Sequence, residues 1–308
     1  MHQFHAMNTR IVTIGLPESA ELETEHWFSL VECSLSRFRE DSELSKLNRS
    51  EGRPFLATPL LYEVLSAAHQ YYVETKGLFN PYMGNQLRTL GYSGSFEQVD
   101  GIAPAACTVI PPAPVPARFD AGMQSIVLAK QASVDLGGFA KGWCAHQQSL
   151  RLQRDGISSG AIGAGGDIAY WGHPEDAWEL GIASPWDSRE DLLTLQLRGT
   201  MGIATSSTAK RRWSDKAGRV HHHILDPRSG ESVKSDLLQA TVFAPTLVEA
   251  EIYAKCVLIL GADAGIRWLT ERHPSCAVIA VTPGGSLLSG GSLSHYTMEG
   301  EIRLELIS

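Results

Sequence analysis

Val134-Asp135-Leu136-Gly137-Gly138-Phe139-Ala140-Lys141-Gly142 reads as the end of a short strand, two glycines and the opening of a helix. Glycines let the backbone approach a ligand closely. A helix start offers free N–H groups and the positive end of the peptide dipoles, and Lys141 adds a full charge. Taken alone, the segment is either ordinary turn chemistry or a cradle for a pyrophosphate. It matches neither the P-loop pattern nor a complete G-x-G-x-x-G.

Working outward, the helix runs to about Asp155 and is closed by Gly156. Short strands are expected before it at Ser125–Leu128 and Ser133–Leu136. Ala161 to Ile168 follows as a strand and a glycine-rich turn, then strands at Trp178–Ile182, Leu192–Leu197, Val220–Leu225 and Ala240–Ala244. Further N-terminal, Arg10 to Leu16 reads as an opening strand and Ala20 to Phe38 as a helix. Thr58-Pro59 starts another helix, with Thr58 as its cap and Gly77 as its stop. Thr246 and Glu249 form a capping box for a helix to Leu260. A helix near Asp263–Arg272 and strands at Ala277–Val281 and Glu301–Leu306 complete the chain. Strands and helices mix without strict βαβ alternation, which predicts an α+β fold and not a doubly wound sheet.

The 308 residues fit one domain over 1–308, or two interleaved subdomains, with a Pro-rich excursion near 91–117. The net charge of −8 and the lack of a basic stripe argue against a nucleic-acid partner. Lys210-Arg211-Arg212 is the densest positive patch, either a solvated turn or a phosphate contact. Five cysteines, Cys33, Cys107, Cys144, Cys256 and Cys276, include no C-x-x-C pair, which favours reduced thiols. No apolar run is long enough to span a membrane, and the N-terminus lacks the apolar region of a signal peptide. A cytoplasmic protein is the expectation.

Three further segments carry chemistry. Gly163-Ala164-Gly165-Gly166-Asp167-Ile168 is either a tight turn between strands or a backbone surface for a ring or phosphate. In His221-His222-His223 only His221 and His223 share a strand face, and no zinc-like spacing accompanies them. His223 precedes the turn Asp226-Pro227-Arg228-Ser229-Gly230 and suits proton transfer or phosphate contact. Glu251 and Lys255 lie at i, i+4 on an otherwise apolar helix, either as an exposed pair or as a buried pair aimed at a site.

Together these segments resemble the ApbE family of FAD-dependent flavin transferases, from Phe4 to about Leu260. Ala6-Met7-Asn8-Thr9 resembles the family's opening M-G-T. Ser36-Arg37-Phe38-Arg39 with Asp41 to Asn48 resembles its S-x-[FY]…S-x-[LI]-S-x-[LF]-N block, and Gly77-Leu78-Phe79-Asn80-Pro81 resembles G-x-F-D-P. Asp135 to Gly142, Gly165 to Ile168, Ala204-Thr205-Ser206-Ser207 and His222 to Gly230 follow in family order. The resemblance implies an ApbE-like, T-fold-like architecture of mixed, mostly antiparallel sheets with packed helices. It implies FAD as substrate, cleaved at its pyrophosphate. FMN passes to a threonine hydroxyl of an acceptor flavoprotein, and AMP leaves.

By matching position, Met7 and Phe38 would pack on the flavin nucleotide, and Phe79 and Asn80 would line its pocket. Asp135 would hold a polar group of FAD, Lys141 and Ile224 would lie against it, and His223 would serve as acid/base. Asn8 and Asn80 depart from the family's Gly and Asp. The magnesium helix, A-D-x-x-x-T in the family, reads Ala250-Glu251-Ile252-Tyr253-Ala254-Lys255 here. Glu251 and the carbonyl of Gly138 are the remaining candidate Mg2+ ligands, and Lys255 is a candidate to replace the ion. The competing expectations are a non-catalytic FAD-binding module and a slow FAD pyrophosphatase.

Overall fold

The computed structural model describes residues 1–92, 115–172, 178–187, 189–210, 212–214 and 218–298. The chain opens with β1 (His2–Ala6), β2 (Thr9–Ile14), α1 (Glu18–Leu35), α2 (Glu43–Asn48), β3 (Phe55–Leu56), α3 (Pro59–Glu74) and α4 (Gly84–Thr89). β4 (Ala117–Asp120), β5 (Ser125–Leu128), α5 (Ala140–Arg154), β6 (Gly160–Ala164) and β7 (Asp167–Trp171) follow. Next come β8 (Trp178–Ala183), β9 (Asp191–Leu197), β10 (Met201–Ser207), β11 (Arg212–Ser214) and β12 (Val220–His222). β13 (Gln239–Ala244), α6 (Leu247–Leu260), α7 (Ala262–Arg272), β14 (Ala277–Val281) and β15 (Leu287–Gly291) end it.

The main sheet runs β1-β2-β6-β7-β10-β13-β14-β15, with every neighbouring pair antiparallel. The architecture is α+β, as expected. Side-chain alternation sends Ala240, Val242, Val278 and Ala280 toward the helices, and Phe243, Ala277 and Ile279 toward the β8–β9 hairpin on the other face. Both faces are therefore covered, which is why β13 is buried at all six positions. α6 lies against β10 and β13 and touches α5 and α7 as well, so its nearly continuous apolar surface is buried.

The capping chemistry read from sequence is present. The Thr58 side chain accepts the Leu61 N–H, and Thr246 and Glu249 form the reciprocal capping box. Gly156 takes φ 91° after α5, where a side chain would be strained. The thiols of Cys144 and Cys256 are buried and free, and burial pushes both well above their ordinary pKa, so they are packing groups. No helix among the described residues is long and apolar enough to cross a membrane.

Several expectations need correction. Ser133–Leu136 is not a strand: only Ser133 forms a bridge, with Met83. The Val134 backbone is instead taken by the Asn48 side chain, which accepts its N–H at 2.7 Å and donates to its carbonyl at 2.9 Å. The Asp135 N–H goes to the Pro81 carbonyl. The expected strand Val220–Leu225 stops at His222, where the Ser232 hydroxyl takes over the main-chain N–H and carbonyl. β1, β3, β4, β7, β10, β11 and β15 and the short helices α2 and α4 are not among the expected elements. Of the expected excursion near 91–117, residues 93–114 lie outside the described residues, as does the expected strand Glu301–Leu306.

Gly202 in β10 is a steric requirement. A Cβ there would fall on the backbone of Thr246 and Leu247, where α6 starts. Gly202→Ala is expected to lower stability by about 1–3 kcal/mol, because neither backbone can move without shifting the sheet or the helix. Urea unfolding of the variant against the parent checks this.

Candidate active site

Three cavities meet at Gly137, just before α5. The first is walled by Met7, Phe38, Tyr92, Asp135 and Lys141. The second is lined by Phe79, Asn80, Gly138, His223, Ile224 and Lys255. The third holds Lys141, Asp167, Thr205, His223, Glu251 and Lys255. Shared lining residues make them one continuous cleft: Asp135 and Gly137 border the first two, and Gly138, His223 and Lys255 border the last two. Met7, Phe38, Phe79, Asn80, Asp135, Gly138, Lys141, His223, Ile224, Glu251 and Lys255, the residues given roles by the resemblance, all line it.

The β1–β2 turn builds the entrance. Met7 and Asn8 adopt left-handed φ values of 52° and 57°. Asn tolerates that conformation better than most residues with a side chain, so Asn8 suits this left-handed turn. The Met7 N–H donates to Glu32 of α1 at 2.9 Å. Opposite, Arg37 pairs with Asp135 and donates to the Tyr92 carbonyl at 3.0 Å. Its guanidinium lies 4.2 Å over the Phe38 ring, which is 42% exposed and free to take a further ring. Asp135 also accepts the Gly137 N–H at 2.7 Å, so this carboxylate sets the turn into α5.

In the second cavity, Phe79 is buried and packs 5.7 Å from Phe139, leaving an edge for the cleft. Asn80 accepts the Tyr82 N–H at 2.9 Å, a local turn bond that the family's Asp would make equally well. The three histidines separate. His221 stacks on Trp213, and His222 is buried with Nε2 3.0 Å from the Val233 carbonyl. Burial lowers the His222 pKa, keeping it neutral and structural. His223, just past β12, lines the cleft.

The floor is a buried ionic cluster. Glu251 is 3% exposed. Its Oε1 lies 3.3 Å from Lys255 Nζ and 3.6 Å from Lys141 Nζ, and its Oε2 accepts the Gly142 N–H at 3.1 Å. Burial opposes the charge on Glu251, but Lys255 and Lys141 outweigh it and hold the carboxyl below its ordinary pKa. The i, i+4 pair is thus the buried alternative, aimed at a site. Asp167, across the cavity, accepts the Thr205 N–H at 3.0 Å. Burial, reinforced by the charge of Glu251, pushes Asp167 up to about 6 against the pull of the two lysines.

This donor set does not suit magnesium. Mg2+ demands near-octahedral oxygen. Both oxygens of Glu251 are engaged by N–H or ammonium groups, and Lys255 is itself a cation. No group of three or more His, Cys, Asp or Glu side chains suited to a metal occurs among the described residues. Arg37, Tyr92 and Asp167 were missed as site residues from sequence. Arg37 sits beside Phe38 in the quoted block and Asp167 inside the glycine-rich turn, but their roles depend on partners more than 30 residues away.

The architecture is that of solved flavin-transferase-type structures. It matches the ApbE protein of Thermotoga maritima with a TM-score of 0.83 at 20% identity, covering 97% of this chain and 99% of that one. It matches the flavinyl transferase ApbE of Pseudomonas stutzeri in its apo form with a TM-score of 0.80 at 19% identity, covering 97% of each. The ApbE family model matches residues 7–280, and the chain belongs to that family. Among sequence relatives, a FAD:protein FMN transferase of Klebsiella pneumoniae is 25% identical over 82% of this chain and 78% of its own length. Another from Treponema pallidum is 27% identical over 82% and 72%.

The raised pKa of Asp167 has a definite sign. Folded Asp167 holds its proton more tightly than the unfolded chain does, so its stabilising contribution is complete below about pH 4 and lost as pH rises through about 6. Asp167→Asn keeps an oxygen for the Thr205 N–H and removes the titration. Unfolding free energies measured between pH 4 and 7 should fall less steeply for the variant, by on the order of 2 kcal/mol across the window.

Proposed function

We propose that this protein is a FAD:protein FMN transferase. The observation that carries the reading is the continuous cleft whose middle, at the α5 N-terminus, holds Lys141 and Lys255, with an aromatic and apolar cavity on either side. A dinucleotide has that layout: two heterocycles flanking a doubly charged pyrophosphate. Membership of the ApbE family and the names of the sequence relatives point the same way.

In this reading the FAD pyrophosphate lies over Gly137 and Gly138, one heterocycle packs on Phe38 and Met7 in the first cavity, and the other enters the second, lined by Phe79, Asn80 and Ile224. The hydroxyl oxygen of an acceptor threonine attacks the FMN-side phosphorus. A new P–O bond forms, the bond from that phosphorus to the bridging oxygen breaks, and AMP departs with that oxygen. The hydroxyl proton passes to His223 and then to AMP or solvent. Asp135, fixed by Arg37, holds the turn into α5 and offers an acceptor to a polar group of FAD. The alternatives, a non-catalytic FAD carrier and a slow pyrophosphatase, differ in their products. Chromatography of nucleotides after incubation with FAD, with and without acceptor extract, separates them: unchanged FAD, FMN with AMP, or AMP with protein-bound flavin.

FAD should bind at least about tenfold more tightly than FMN, because the AMP half fills a cavity of its own. Fluorescence titration measures both, and equal affinities would remove that half from the cleft.

His223→Ala is expected to reduce FMN transfer by about 10²-fold or more while FAD affinity stays within about threefold, the pattern for a group that acts in the transition state. Single-turnover AMP release together with the titration reads the two effects separately. Near-parental AMP release would make His223 structural.

A further inference from the structure

We propose that the ammonium groups of Lys255 and Lys141, held together by Glu251, supply the positive charge at the pyrophosphate subsite, so that this protein binds and cleaves FAD without a divalent metal. The inference rests on the reading of the cleft as a FAD site. It starts from the donor set. Lys255 Nζ lies 3.3 Å from the Glu251 carboxylate, where a cation shared between that carboxylate and a phosphate would sit. Its Cε fills the space over Gly138: a Cβ added to Gly138 would stand 2.8 Å from it. Lys255 therefore lies between Glu251 and Gly138, the two residues that carry the candidate metal ligands.

The hydrogen-bond count supports a ligand-facing role. An ammonium has three N–H bonds. Among the described residues, Lys255 directs them at the Glu251 carbonyl (3.1 Å) and the Glu251 carboxylate (3.3 Å). Lys141 donates one to the Gly137 carbonyl (2.9 Å) and pairs with the same carboxylate oxygen at 3.6 Å, beyond hydrogen-bond distance. Each therefore keeps at least one N–H for a phosphate oxygen. Both nitrogens belong to residues lining the third cavity, where Lys141, Lys210 and Lys255 face Glu251 and Asp167, so the lining keeps a net positive charge. In the transfer step, the leaving AMP oxygen gains negative charge as its bond to phosphorus breaks. Fixed ammonium groups beside it stabilise that charge without rearrangement.

The reading of Lys255 as mere compensation for a buried carboxylate makes a different prediction, and three ligands separate the two. FAD has the pyrophosphate, riboflavin has the ring without phosphate, and Mg2+ alone probes for a metal site. For the parent protein, FAD affinity and the rate of AMP release should be equal, within about twofold, in excess EDTA and in excess magnesium. Calorimetric titration with MgCl2 should show no saturable binding. Lys255→Met should weaken FAD binding by about tenfold to a hundredfold, the scale of one charge-assisted hydrogen bond, and leave riboflavin binding unchanged. Lys255→Arg should recover part of the loss. The proposal is overturned if EDTA abolishes FAD binding or AMP release and magnesium restores it. One-to-one Mg2+ binding would overturn it too, as would equal weakening of FAD and riboflavin in Lys255→Met. A parent protein that binds FAD equally well with and without metal yet never releases AMP refutes the transferase reading and the metal-free cleavage with it, and leaves only the assignment of charge at the pyrophosphate standing. The parent measurements need no variant to fold.

Discussion

Lys141 from α5 and Lys255 from α6 meet on one buried carboxylate, Glu251, and the shape of the cleft follows from that contact. Burying ions is costly, and such a cluster is a weak source of stability compared with apolar packing. What it provides is position. Glu251 ties the middle of α6 to the first turn of α5 through the Gly142 N–H, and this holds two ammonium groups at the floor of the third cavity. The glycines obey the same constraint. A side chain on Gly142 would collide with Glu251, and one on Gly138 with Lys255. These glycines make room for the cluster as well as for a ligand.

The sheet makes that arrangement rigid. β10 and β13 are covered by α6 on one face and by the β8–β9 hairpin on the other, so α6 cannot slide without unpacking from a sheet that is itself held from behind. Asp167 enters from the β6–β7 turn, where Gly165 and Gly166 take φ values of 70° and 103° that a side chain would resist. Three layers thus converge on one spot: the turn brings a carboxylate, the helices bring the lysines, and the loop after β12 brings His223. The cleft lies where they meet, and none of the elements forms it alone.

Much of this was legible in the sequence where the signal was local. Thr58-Pro59 and the Thr246–Glu249 box mark helix starts by chemistry that acts over three residues, and the structure has both caps. The i, i+4 spacing of Glu251 and Lys255 puts both on one face of an apolar helix, and the structure decides for the buried pair over the exposed one. What failed needed distant partners. Ser133–Leu136 has a strand's composition, yet Asn48, 86 residues earlier, takes the hydrogen bonds that a neighbouring strand would have made. Arg37 gave no sign of pairing with Asp135, because nothing in its own neighbourhood sets that contact. The departures at Asn8 and Asn80 become intelligible only from the left-handed φ of Asn8 and the turn bond that Asn80 accepts from the Tyr82 N–H, both of which suit an asparagine.

In the proposed reaction one cleft holds a whole FAD molecule with its pyrophosphate on the Lys141–Lys255 pair. A crystal structure of the protein soaked with FAD in the presence of magnesium decides this. Pyrophosphate oxygens are expected within hydrogen-bond distance of both Nζ atoms, with the two heterocycles in the two flanking cavities and no ion between phosphate and Glu251. A magnesium ion on Glu251 with Lys255 swung away, or FAD bound outside this cleft, would contradict it.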